Sequence, residues 1–146
     1  MKNSFKIPQL LLRLALGIGF LTTVSDRLGL LPADTRNIEW GEWDKFIDYT
    51  ATLMPFLDRS VVNVMGGLAT LFETLIGVLL IIGFKTRYTA IASCALTLIF
   101  ALAMTAFLGV KAPINFAVFG TCAGSLLLST IPLYNWSLDN FGNRAE

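Results

Sequence analysis

Histidine does not occur anywhere in the chain. Its absence removes the commonest metal ligand, the usual axial haem ligand and the usual general base near neutral pH. Charge is scarce too: Asp, Glu, Lys and Arg make up 14% of the residues, against about a quarter in a soluble domain. A net charge of +1 leaves no basic field for nucleic acid. The only cysteines, Cys94 and Cys122, form neither a CxxC nor a metal-type spacing. There is no internal repeat and no low-complexity tract. No metal site and no intrinsic cofactor are expected.

What the chain has in place of charge is apolar length. Its 146 residues suit one domain, 55% of them are hydrophobic, and the mean hydropathy is +0.68. The run from Val61 to Phe84, VVNVMGGLATLFETLIGVLLIIGF, is 24 residues with one ionisable group, Glu73. About 20 apolar residues in a helix cross a bilayer core. A charged side chain at the centre of such a helix costs roughly 2.5–3.5 kcal/mol or more. Glu73 should therefore be neutral, paired, or turned into a bundle.

Three further runs have the same character: Ile7 to Ser25, Tyr88 to Val110 and Ile114 to Leu133. Lys2 and Lys6 before the first run give it the look of a signal peptide. Arg13 interrupts its apolar core, however, and GIGFLTTVSD offers no small-x-small cleavage site, so it reads as a retained helix. The expected fold is all-α, a bundle of four transmembrane helices over residues 1–146. Gly120 and Gly124 form a GxxxG pair suited to packing within that bundle.

The first loop, Arg27 to Ser60, holds four basic and six acidic residues. Within it WGEWDKFIDYTATLMPFL carries apolar residues at helical steps, with Glu42, Asp44, Lys45, Asp48 and Asp58 largely on the other side. It predicts an amphipathic helix that lies in the interface or caps the bundle, or one that packs on the loop's own core. Basic residues divide evenly between the two sides. Lys85 and Arg87 in the very short GFKTR turn favour both termini inside.

Arg13 lies about 9 Å in from Ile7, and Glu73 about 16 Å in from Phe84 on the same side. The difference, about 7 Å, is near the reach of an arginine, so the two can form a desolvated pair. Otherwise Arg13 snorkels to the headgroups and Glu73 is protonated or bonded to a neighbouring helix. At the outer ends Asp26, Arg27, Lys111 and Asn115 either gather beneath the WGEW helix or form a solvated face. Cys94 lies about 10 Å from the inner side and Cys122 about 16 Å or more, a mismatch in height that favours small buried thiols over a redox cysteine pair.

The segments LLRLALGIGFL and LFETLIGVLLIIGFKTR resemble the DoxX family of small four-helix membrane proteins. Arg13, Gly17, Glu73, Gly77, Gly83, Thr86 and Arg87 carry the resemblance, which covers roughly Leu10 to Leu128. DRLGLLP…WGEWDKFIDYT is similar to a subgroup with a longer first loop. The resemblance implies a bacterial plasma-membrane protein. The family takes its name from a quinone-reducing thiosulfate oxidoreductase, and other members are linked to membrane redox and oxidative-stress complexes. No catalytic residues carry over.

Three functions stay open. The first is an accessory subunit of a membrane redox system that binds a lipophilic ligand, such as a quinone, through Arg13 and Glu73. The second is a small proton-coupled transporter or permease. The third is a structural or assembly protein. The chain shows no autonomous catalytic set, so at most it is a subunit of a quinone-linked oxidoreductase. Its partners are expected to be the lipid bilayer and a redox subunit or further copies of itself.

Overall fold

The computed structural model describes residues 5–32, 34–36 and 38–142. Among the described residues seven helices follow in order: α1 (Lys6–Arg27), α2 (Trp43–Leu53), α3 (Arg59–Ile82), α4 (Thr86–Leu108), α5 (Lys111–Asn115), α6 (Val118–Ser129) and α7 (Leu138–Gly142). Among the described residues there is no strand. Three helices, α1, α3 and α4, are long and apolar enough to cross a membrane, and α6 is a shorter apolar helix. Large apolar side chains such as Ile18, Leu71, Phe72, Leu75, Ile99 and Leu102 face outward from them. That is the pattern of a bundle solvated by lipid, and the chain is a multi-pass, all-α membrane protein.

Between helices in lipid there is little hydrophobic driving force, so close backbone approach does the packing. α1 and α3 meet where Gly17 faces Gly77. A Cβ on Gly17 would lie 2.8 Å from the Gly77 carbonyl oxygen, and one on Gly77 would lie 3.1 Å from the Gly17 carbonyl. Around this crossing Leu16, Phe20, Ile76, Leu80, Ala90, Leu128 and Tyr134 form the main core. Gly124 turns toward Leu12 of α1, whereas Gly120 faces open space.

The amphipathic segment of the first loop folds as α2 and caps the bundle. Phe46 and Ile47 are buried with Val62 of α3, and Trp40, Trp43, Met54 and Leu57 pack around them. A Cβ on Gly66 would come within 2.7 Å of Ile47 Cδ1, so this glycine lets α2 sit down on α3. α3 ends at Gly83 in the left-handed region, with its N–H and that of Phe84 both bonded to the Leu79 carbonyl.

The fourth span differs from its expected form. Ile114 to Leu133 is not one helix. α5 stops at Asn115, Ala117 turns with φ +52°, and α6 runs only from Val118 to Ser129. Twelve residues make about 18 Å, short of the roughly 30 Å of a bilayer core. The C-terminal end of α6 stops early because the Ser129 and Thr130 hydroxyls turn back onto the Leu126 and Leu127 carbonyls, and Pro132 follows.

Candidate functional site

Glu73 is paired, but with Arg27 and not with Arg13. Arg27 Nη1 donates to Glu73 Oε1 at 3.2 Å and Nη2 to Oε2 at 2.9 Å, a two-bond fork with both side chains almost fully buried. Arg27 Nη1 also donates to Thr70 Oγ1 at 3.1 Å, one turn before Glu73 on α3.

The register of α1 against α3 explains the exchange of partner. Gly17 lies level with Gly77 and Ile81, and Arg13 lies level with Gly83. Glu73 then falls opposite the neighbourhood of Thr23. Arg27 is about one turn above that level, within reach, and Arg13 is about 15 Å below it. The expectation had set Ile7 level with Phe84, about five residues out of register. Helix ends do not show where two glycines will cross.

Arg27 lies under an aromatic cap. Its guanidinium carbon sits 4.1 Å from the Phe46 ring centre and 5.4 Å from that of Trp40. Trp40 stands edge-on to Phe46 at 5.4 Å and lies 5.9 Å from Tyr49, whose ring is 6.1 Å from Phe116. Asp26 holds this cap down. Its carboxylate accepts the Glu39 N–H at 2.8 Å and the Gly41 N–H at 2.9 Å, on either side of Trp40. Gly41 has φ +70°, and a Cβ on Gly29 would strike its carbonyl, so both glycines are required by the loop's close return. Two polar atoms at the site are buried without a partner: Arg27 Nε and the Tyr49 hydroxyl. Burial, and secondarily Glu39, push the Tyr49 hydroxyl above its ordinary pKa.

The outer cluster therefore forms in part. Asp26 and Arg27 gather beneath the WGEW segment. Lys111 and Asn115 lie exposed on α5 and bond to neither of them. Broken at Ala117, the fourth span leaves its N-terminal turn as the separate short helix α5.

Arg13 has a different task. It is 1% exposed, and its Nη2 donates to the Trp136 carbonyl at 2.6 Å, with Nη1 3.5 Å from that of Asn135. Gln9 Nε2 shares the Asn135 carbonyl at 3.0 Å. The segment they hold brings Asp139 to the start of α4, where its carboxylate accepts the N–H groups of Lys85 at 2.6 Å and Thr86 at 2.8 Å. This caps the helix with a remote residue. Arg13 is a clamp on the returning chain, and it shares no bond with Glu73.

The cysteines also depart from expectation. Cys94 Sγ and Cys122 Sγ lie 3.1 Å apart, on α4 and α6. The early end of α6 is the reason. Cys122 lies about 10 Å from Ser129, and Cys94 about 12 Å from Thr86, so the two sit at one height. Among the described residues no three of His, Cys, Asp and Glu gather as a metal site.

Arg27 was not legible as the partner of Glu73, nor Thr70 and Trp40 as neighbours of Arg27. The usable signal was Gly17 and Gly77, which mark the crossing and so the register. A comparison with family models gives a match described as DoxX over residues 9–109, well over half of the chain. No curated protein and no solved structure matches.

Proposed function

The chain belongs to the DoxX family, and from that premise we propose that it is an accessory membrane subunit that binds a lipophilic ring compound, a quinone by preference, at the capped Arg27–Glu73 site. The observation that carries this reading is the pair of buried, partnerless groups beside Trp40: Arg27 Nε and the Tyr49 hydroxyl. Both are N–H or O–H donors, and quinone carbonyl oxygens are acceptors. Trp40 and Tyr49, both half-buried, offer flat faces for a flat ring. When bound, a quinone would supply two-electron redox chemistry.

The setting proposed is a bacterial plasma membrane with both termini in the cytoplasm. The partner is a redox subunit or a further copy of the chain. The test is native mass spectrometry of the protein gently extracted from its own membrane. A quinone-sized mass retained by the wild type and lost in both Arg27→Gln and Tyr49→Phe supports the site. A bare chain, or equal retention in all three, removes it.

One observation favours a structural reading instead. Both Glu73 oxygens and both Arg27 Nη atoms already have partners within the protein. On that reading the pair locks α1 to α3, and replacing both residues by apolar ones of similar size leaves assembly intact.

A further inference from the structure

α4 and α6 pack through small residues. Ala90, Ser93 and Thr97 on one helix and Ser125 and Ser129 on the other are buried, and the Ser93 and Ser125 hydroxyls bond at 2.7 Å. Beside that contact the two sulfurs lie 3.1 Å apart, and Cys122 Sγ is 3.5 Å from the Cys94 carbonyl oxygen. A disulfide needs about 2.05 Å, so an approach of about 1 Å would join them. Both cysteines are half-buried where the serines are fully buried. The thiol pair thus sits at the rim of the helix interface, within apolar spans, where a molecule dissolved in lipid can reach it.

We propose that Cys94 and Cys122 are a reversible dithiol–disulfide centre inside the membrane, oxidised by a lipid-soluble para-quinone. Two S–H bonds break and one Sγ–Sγ bond forms. The two electrons and two protons pass to the quinone, which leaves as the quinol. The oxidised centre ties α6, the short helix that follows the turn at Ala117, covalently to α4. It shares no residue with the Arg27–Glu73 site and does not rest on ligand binding there.

The test uses the full chain in liposomes, first reduced and then exposed to a fully methylated para-benzoquinone, whose ring carbons leave no position for a thiol to add. Thiols are then trapped in acid denaturant with a high-mass maleimide. The wild type is expected to lose both labels, to lose two hydrogens in intact mass, and to regain both labels after dithiothreitol. Cys94→Ser and Cys122→Ser should each keep their one label. The centre is overturned if the wild type keeps both labels, if the single variants lose theirs at the wild-type rate, or if cross-linking occurs only between chains.

Discussion

The Arg27 guanidinium holds both carboxylate oxygens of Glu73 across the α1–α3 crossing, and Thr70 takes a further bond from the same nitrogen that meets Oε1. Removing one member leaves an uncompensated buried charge, which costs about 3–5 kcal/mol, whereas removing both often costs little. Arg27→Met and Glu73→Leu should each lower the unfolding midpoint in detergent strongly. The double variant should recover most of the loss. Additive losses in this double-mutant cycle would mean that the two side chains do not act as a pair.

Gly83→Ala should be among the most damaging alanine substitutions. Gly83 has φ +71°, and an added Cβ would lie 2.7 Å from Arg13 Nη1 and against Ser137. Conformational strain alone costs on the order of 1–3 kcal/mol, before the clash is counted. Gly120→Ala, where a Cβ meets open space, should be neutral within about 0.5 kcal/mol. Equal melting temperatures for the two variants would refute the contact at Gly83.

Asp26→Ala should free the loop that carries Trp40. Its carboxylate satisfies the Glu39 and Gly41 N–H groups. Their hydrogen exchange should speed up by at least tenfold, while the α2 core around Ile47 stays protected. Unchanged exchange at these two amides would show that the loop is held by something else.

Tyr49 makes the protein sensitive to alkali. Its hydroxyl ionises later in the folded chain than the ordinary 10.0, because burial and then Glu39 oppose the charge. Below that value both states are neutral there and stability is unaffected. As pH rises past it, the unfolded chain ionises first, so stability falls until the folded group ionises too. Tyr49→Phe should flatten this alkaline decline in unfolding midpoint. A decline of the same slope in the variant would assign it to another group.

Much of the bundle was legible because lipid imposes simple demands on sequence. The spans of α1, α3 and α4 were readable from apolar length, and α2 from its three- and four-residue rhythm. Glu73 was identifiable as a residue in need of a partner. What length and periodicity do not carry is the vertical offset between helices. That offset follows from where Gly17 and Gly77 let two backbones touch, and it decided between Arg13 and Arg27. The break at Ala117 was hidden for a related reason. Apolar composition continues across it, so Ile114 to Leu133 scans as one run, and the misjudged end of that run put Cys122 at the wrong height. Asp139 was missed because it caps α4 from more than fifty residues away, a tertiary contact that leaves no local signal.

The return of residues 135–139 to Arg13 and to the head of α4 has a consequence for how the protein is made. The first helix leaves the ribosome more than a hundred residues before the carbonyls that will satisfy its arginine. Until then the two carbonyls that accept from Arg13 in the finished bundle are not yet there. Only when Trp136 arrives can the guanidinium be drawn out of water, and the same segment then delivers Asp139 to the start of α4. Residues 135–139 thus act as a late latch on α1. A stall or truncation ahead of them would leave three long helices in place with the bundle unfastened at that end.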